Sequence, residues 1–266
     1  MGLNIVGPED KPGSKCWQAL EPLSRGWPDS SISYEYSDDG RPTCFWGLAN
    51  GNWNMLEQLK LKQRKFLFTD MGYFNRWNGD PDTAYWRTIP NTLHVNSIGK
   101  YPSDRSRKLG IHLRDWRKSG SHILVAPSSF TMSQWCGYNS EQHWINATVA
   151  ELQKHTDRPI KIRMKPRDGK KSGPMVASVP LSEDLKDCWA IVTSCSMAAV
   201  EAVVAGVPSF THTLSPAAPV SYTKLSKIEN PHMPDRQAWI NTLAYRQFTK
   251  IELANGKAYE ILHQLL

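Results

Sequence analysis

The chain has 266 residues, of which 40% are hydrophobic and 21% charged, a composition typical of globular domains and not of disordered chains. This length allows one large α/β domain or two small ones, each with its own core. The formal net charge of +7 favours a polyanionic partner or substrate through long-range attraction, without identifying it. No apolar run approaches the ~20 residues that span a bilayer, and the first residues lack the basic and apolar regions of a signal peptide. We therefore expect a cytoplasmic protein with no membrane partner.

The five cysteines are scattered and contain no CxxC pair, which favours reduced thiols over a disulfide framework or a zinc site. The histidines show no ligand spacing. The acidic pairs Asp38–Asp39 and Asp80–Asp82 lie in turn-rich stretches and are interpreted as solvated turns. No P-loop, HExxH or GxSxG motif occurs. The sequence therefore predicts no essential metal for the chemistry and no resident cofactor.

The first half of the chain predicts short strands and one clear helix. Strands are expected at 3–6 and 31–36, and Asn52–Leu61 has helical spacing of its apolar residues. Residues 65–70 form an apolar strand that ends in a carboxylate. The stretch 78–116 is polar and basic, and we expect loops there with a domain linker near its end.

The second half is more regular. Strands are predicted at 122–126, 160–164, 189–193 and 208–210. Helices are predicted at 140–155, 181–186 and 196–205, with a closing helix at 256–266. This alternation of strands and helices predicts a parallel, doubly wound sheet, and ligands bind such sheets at the carboxyl ends of the strands.

The turn after the strand at 189–193 is the sharpest chemical feature. Ser194 and Ser196 supply hydroxyl donors beside the first backbone N–H groups of a helix, an arrangement that suits a phosphate group. Glu201 follows about one turn later, where a carboxylate could accept both hydroxyls of a ribose. The pattern alone is equally compatible with an ordinary capped helix that carries a surface glutamate.

This segment resembles the donor-binding turn of glycosyltransferases with the two-domain GT-B fold. The resemblance covers about 120–215 and rests on Ser194, Ser196, Glu201, Ala205, Gly206 and Pro208. It implies two Rossmann-like domains, namely an acceptor-side domain at 1–118 and a nucleotide-sugar-binding domain at 119–250, followed by the closing helix at 251–266. It also implies a nucleotide-diphosphate sugar as co-substrate. Sugar epimerases and polyol-phosphate transferases share the same features.

The resemblance extends to two other strand ends. Ser128 and Ser129 stand where the family has a second phosphate-contacting loop, and Met197 joins the donor-binding set. Arg163 and Lys165 flank the end of the strand at 160–164, where a cation would neutralise the leaving diphosphate. A solvated basic edge is the alternative. Arg167 replaces the histidine of the related Lys-Pro-His segment, which puts its role in doubt.

On the acceptor side, Asp70 is the candidate general base. Sugar transfer to a hydroxyl needs a base within hydrogen-bond reach of the acceptor, and inverting GT-B enzymes place a carboxylate there. A capping aspartate in a turn is the equally weighted alternative. Tyr73, Arg87 and Asn91 are the predicted acceptor-side residues, and the run 85–91 resembles phage-encoded relatives.

The sequence thus predicts a metal-independent glycosyltransferase that uses a nucleotide-sugar donor. The basic charge favours a hydroxymethylated pyrimidine of DNA as acceptor, in the host cytoplasm if the protein is phage-encoded. The alternatives are a nucleotide-sugar epimerase or polyol-phosphate transferase of the same fold, and a non-catalytic DNA-binding protein that uses the basic runs at 60–65 and 105–118.

Overall fold

The structure is a computed structural model that describes residues 2–9, 13–49, 51–77, 79–165 and 179–266. The chain divides into two compact units, one formed by Met1–Val95 with Thr242–Leu266 and the other by Asn96–Asn241. The domains predicted from the sequence, 1–118, 119–250 and 251–266, were drawn by expected role, and those roles stay a prediction.

Each unit contains one β-sheet. The strands of the first are β1 (Leu3–Val6), β2 (Ser30–Ser33), β3 (Thr43–Trp46), β4 (Phe66–Met71), β5 (Tyr85–Pro90) and β10 (Gln247–Thr249). The strands of the second are β6 (His122–Val125), β7 (Ile160–Ile162), β8 (Cys188–Val192) and β9 (Ser209–Phe210).

The helices in the described ranges differ widely in length. They are α1 (Trp17–Gly26), α2 (Asn52–Leu61), α3 (Asp104–Lys108), α4 (Phe130–Trp135), α5 (Glu141–Leu152), α6 (Leu181–Asp184), α7 (Ala198–Val204), α8 (Gln237–Ala244), α9 (Lys250–Ala254) and α10 (Lys257–Leu262). No helix in these ranges has the length and apolar composition needed to cross a membrane.

The first sheet has the order β10-β5-β4-β3-β1-β2. Strands β1 to β4 are parallel, whereas β5 runs antiparallel to β4 and β10 antiparallel to β5. The C-terminal segment therefore completes the sheet of the first unit, and α9 packs closely on α1. A Cβ at Gly26 would lie 2.0 Å from the carbonyl oxygen of Leu253, so this helix crossing requires glycine.

The second sheet is fully parallel with the order β7-β6-β8-β9. Its central strands β6 and β8 are buried along their whole length, which is typical of strands covered on both faces. Ile123 and Val125 pack in one apolar cluster with Trp144 of α5, while Leu124 packs in another with Ala202 of α7. Helices α5 and α7 therefore cover opposite faces, which confirms the predicted parallel, doubly wound α/β arrangement of this half.

The sequence pattern predicted the position of many helices and strands correctly. The bounds of β1 and α2 match the prediction, and Ser140 caps α5 by accepting a hydrogen bond from the His143 N–H. Gly206 ends α7 with a left-handed φ of 80°. The predicted strand at 31–36 is shorter and lies at Ser30–Ser33.

Other elements were missed. The stretch 78–116, predicted as loops, contains β5 and α3, and the predicted closing helix consists of α10 and a 3-10 turn. β5 contains the polar residues Arg87 and Thr88 and is paired on both edges, and both of these side chains are buried. Such burial depends on neighbours that are remote in sequence.

Candidate functional site

The strand order of the second sheet identifies its ligand-binding edge. From β6 the chain moves to β7 on one side, then returns to β8 and β9 on the other, so the order reverses between β6 and β8. Ligands of open parallel sheets bind at the carboxyl ends of the strands at such a reversal. The loops that follow β6 and β8 contain Ser128 and Ser194.

Hydrogen bonds join these two loops directly. The Ser194 hydroxyl donates to the Ser128 hydroxyl at 2.7 Å, and the Cys195 N–H donates to the same oxygen at 2.8 Å. Ser128 and Ser194 are 4% and 1% exposed. In this structure their hydroxyls hold the loops together, and direct contact of either with a phosphate stays a prediction.

The neighbouring donor-binding candidates are more accessible. Ser129 is exposed, while Ser196 and Met197 are half-buried. The Ser196 hydroxyl accepts a long hydrogen bond of 3.2 Å from the N–H of Ala198, the first residue of α7. The sequence predicts that this helix begins at Ser196, whereas α7 begins at Ala198 and is therefore shorter. A short helix has few aligned peptide dipoles, and anion binding here would depend mainly on the N–H and hydroxyl groups of the turn.

Glu201 is exposed in the first turn of α7 and lines a cavity of about 260 Å³. The other residues that line it are His112, Arg114, Arg117, Ser182, Leu185, Lys186, Val204 and Ala205. Leu185 and Lys186 precede β8, whereas Ser194 follows it. The turn at 194–197, which contains Ser194 and Ser196, is called the serine turn below. The cavity extends toward the opposite end of β8 from this serine turn. The predicted contact of Glu201 with a ribose is not tested by this arrangement and stays a prediction.

The basic residues after β7 differ in their surroundings. Arg163 forms an ion pair with Asp184, and its guanidinium also donates to the Val179 carbonyl at 3.0 Å. A diphosphate would have to compete with this pair for Arg163. Lys165 is exposed, and Arg167 lies outside the described residues. The proposed contacts of Arg163 and Lys165 with the donor stay predictions.

In the first unit, Asp70 and Arg87 form an ion pair across adjacent strands. An Arg87 guanidinium nitrogen lies 2.7 Å from Asp70 Oδ2, and the other donates to the Met71 carbonyl at 2.8 Å. The side chain of Arg87 is 6% exposed and that of Asp70 is 30% exposed. Asp70 is therefore accessible enough to meet a substrate, but it also neutralises a buried cation. Its role as general base stays a prediction.

The other two acceptor-side candidates differ in position. The guanidinium carbon of Arg87 lies 5.7 Å from the centre of the Tyr73 ring, whereas Asn91 is remote from the ion pair. Tyr73 is 2% exposed, and its hydroxyl accepts a hydrogen bond from the Val95 N–H. Asn91 has a left-handed φ of 58°, and its side-chain oxygen accepts from the N–H of Phe66 at the start of β4. Asp70 lies near the other end of that strand, on the order of 13 Å away at the usual rise per residue. The structure thus brings Arg87 to Asp70 but not Asn91.

Two comparisons with known proteins found no relative by sequence: no protein-family model matches this chain, and no curated protein matches it. Solved structures do match. A beta Kdo 2,4 transferase, KpsC of Thermosulfurimonas dismutans, has a TM-score of 0.55 at 12% identity over 93% of this chain and 91% of that chain. A beta Kdo 2,7 transferase, also KpsC of that organism, has a TM-score of 0.52 at 10% identity over the full length of both chains.

The chain has a glycosyltransferase-like fold. At 10–12% identity this likeness concerns the backbone and not the side chains of the site. It covers both units, including the first half that matched the family pattern poorly in the sequence.

Several residues around these positions carry no signal in the sequence. His112 and Lys186 line the cavity beside Glu201 but are remote from it in the chain. Cys136 and His212 lie against Cys195 in the serine turn. These residues come together only through the sheet topology, and their individual spacings match no motif.

Proposed function

We propose that this protein is a glycosyltransferase that binds a nucleotide-sugar donor at the edge formed by the loops after β6 and β8. The observation that carries the proposal is the backbone match to two Kdo transferases over more than nine-tenths of each chain. The Ser128–Ser194 hydrogen bond supports the location, because it fixes two loops at the reversal of strand order.

A GT-B-type organisation is part of the proposal. The parallel strands of the first sheet follow the order β4-β3-β1-β2, and those of the second follow β9-β8-β6-β7. Both units therefore have their first strand beside their third, the doubly wound order of a Rossmann-like domain. We assign the donor to the second unit and the acceptor to the first, with Asp70 as the base. The reaction is expected to need no metal.

The identities of the transferred sugar and of the acceptor can be tested directly with candidate substrates. The two structural neighbours are named for transfer of Kdo, so nucleotide-activated Kdo is the first donor to try. Nucleoside-diphosphate sugars are the donors that the serine turn predicts. A hydroxymethylated pyrimidine in DNA is the acceptor that the charge of +7 favours.

Thermal unfolding with nucleotides tests the donor site. A ligand that binds only the folded state raises the melting temperature in a concentration-dependent manner. We expect nucleoside mono- or diphosphates to do so, and the matching nucleosides without phosphate to have little effect. If no nucleotide raises the melting temperature at millimolar concentration, the proposal is wrong.

Product analysis then separates the enzyme classes. With donor alone, an epimerase of the same fold would convert the sugar, whereas a transferase needs an acceptor for efficient turnover. A DNA-binding protein without catalytic activity would bind DNA with a steep dependence on salt and would not respond to nucleotides.

A further inference from the structure

Three metal-ligating side chains meet beside the serine turn. Cys136 follows the last residue of α4, Cys195 lies in the turn after β8, and His212 lies two residues after β9. Their ligating atoms all lie within 4.8 Å of one another. Each comes from a different connection between elements of the second unit, so only the sheet topology brings them together.

The two cysteines are buried, His212 is half-buried, and backbone hydrogen bonds hold the cluster. Cys136 and Cys195 are 9% and 2% exposed, and their sulfur atoms are 2.7 Å apart. The His212 N–H donates to the Ser194 carbonyl at 3.0 Å, and the Cys195 N–H donates to Ser128. The Leu214 N–H lies 3.2 Å from His212 Nδ1, a long contact that a metal ion at this nitrogen would replace. The cluster is thus directly connected to the serine turn.

The chemistry of the three donors matches a thiophilic divalent ion. Two thiolates and one imidazole are ligands typical of Zn²⁺, and the two thiolate charges cancel that of the ion, so the buried site would carry no net charge. With Zn–S bonds of about 2.3 Å in a tetrahedral site, the sulfurs would stand ~3.8 Å apart. The sulfurs, which are 2.7 Å apart in this structure, would have to separate by about 1 Å to bind the ion, and a water molecule would take the fourth position.

A disulfide between Cys136 and Cys195 is the competing explanation of the short sulfur separation. It would need the sulfurs to approach to about 2.05 Å and an oxidant to accept two electrons. It would also leave the presence of His212 unexplained. A metal ion accounts for all three donors, whereas a disulfide accounts for two.

We propose that Cys136, Cys195 and His212 form a zinc site that fixes the serine turn to α4 and to the loop after β9. With three protein ligands and one open position, the ion would restrain the segment that carries Ser194 and Ser196. This restraint does not depend on which reaction the protein catalyses. The scattered cysteines of the sequence favoured reduced thiols over a zinc site, and this proposal departs from that expectation because the fold brings Cys136, Cys195 and His212 together. The prediction of no essential metal concerned the chemistry of transfer, and the proposed ion lies outside that step.

Cobalt substitution tests the site in the wild-type protein. Metal-free, reduced protein is titrated with Co²⁺, which replaces Zn²⁺ and absorbs strongly when thiolates bind it. We expect one equivalent of Co²⁺ to give a thiolate-to-cobalt charge-transfer band and the ligand-field bands of a four-coordinate site. One equivalent of Zn²⁺ should then abolish these bands and raise the melting temperature.

Variants assign the ligands. Cys136→Ser, Cys195→Ser and His212→Ala should each weaken Co²⁺ binding at least ~10-fold, as loss of even an outer-shell partner of a metal site does. Cys188→Ser is the matched control, because Cys188 is a buried cysteine of the same unit, and it should bind Co²⁺ as the wild type does. Far-ultraviolet circular dichroism checks folding, and the wild-type titration remains decisive if a variant unfolds.

Three results would overturn the proposal. The first is a wild-type protein that binds no stoichiometric Co²⁺ or Zn²⁺ under reducing conditions. The second is metal binding that survives all three substitutions. The third is a Cys136–Cys195 disulfide, detected as the loss of two hydrogen masses, in protein that binds no metal after reduction.

Discussion

The hydroxyl of Ser194 donates a 2.7 Å hydrogen bond to the hydroxyl of Ser128, although 66 positions separate them in the chain. Ser128 also accepts from the Cys195 N–H, so one buried oxygen receives both bonds. Because β6 and β8 are adjacent and parallel, this pair fixes the carboxyl-end loops of both strands. The geometry of the proposed donor site depends on it.

Replacement of Ser128 by alanine should therefore destabilise the second unit. The change leaves the buried Ser194 hydroxyl and the Cys195 N–H without their acceptor, which costs about 1–3 kcal/mol. Urea unfolding should show the loss, and nucleotide affinity should fall as the loops separate. Ser129→Ala is the control, because Ser129 is the exposed neighbour and should change stability little. Equal stability of the two variants would contradict a role for the Ser128–Ser194 bond.

Glu201→Ala should weaken nucleotide binding without unfolding the protein. If the carboxylate holds a ribose, loss of this charged hydrogen-bond acceptor should reduce affinity about 10- to 100-fold, as measured by calorimetry. Lys186→Ala is the informative comparison, because Lys186 lines the same cavity from the other end of β8. If the nucleotide binds at the serine turn, Lys186→Ala should leave the nucleotide affinity unchanged. If Lys186→Ala weakens binding and Glu201→Ala does not, the nucleotide lies elsewhere in the cavity.

Asp70→Asn should slow transfer by roughly 10²–10⁴ while nucleotide affinity stays unchanged, because a general base acts in the transition state. The ion pair with buried Arg87 adds a second effect, a stability loss of about 1–3 kcal/mol. The rate must therefore be expressed per folded protein.

Arg87→Met separates the two roles of Asp70. It removes the ion pair but keeps the carboxylate, so stability should fall while a large part of the transfer rate remains. A wild-type rate for folded Asp70→Asn would show that Asp70 only neutralises Arg87.

The stability of the first unit should fall below pH 6.5 because of His94. Burial, together with the nearby Arg87 and Arg76, holds the pKa of His94 well below its ordinary value of about 6.5. Below pH 6.5 the unfolded chain binds a proton at His94 that the folded chain does not bind. The free energy of unfolding therefore decreases as the pH falls below 6.5, by up to ~1.4 kcal/mol per pH unit. Urea unfolding of wild type and His94→Gln between about pH 7.5 and 5 measures it. Parallel pH profiles would contradict the assignment, because other groups titrate in both proteins.

Several features of this protein followed from the sequence alone. The apolar strands, the Ser140 cap and the Gly206 helix end were predicted because they depend on residues within a few positions of one another. The alternation of strands and helices in the second half similarly predicted a parallel sheet, and with it the edge where Ser128 and Ser194 meet.

Tertiary structure decided the rest. Strand β5 pairs with β4 on one side and with β10 on the other, and these partners are remote in sequence, so the polar, basic stretch around β5 was predicted as loops. The Asp70–Arg87 pair and the cluster of Cys136, Cys195 and His212 join residues that no local spacing relates. Backbone conformation and amphipathic periodicity are local properties that a sequence displays directly. Contacts between remote side chains depend on strand order, which is settled only when the whole sheet forms.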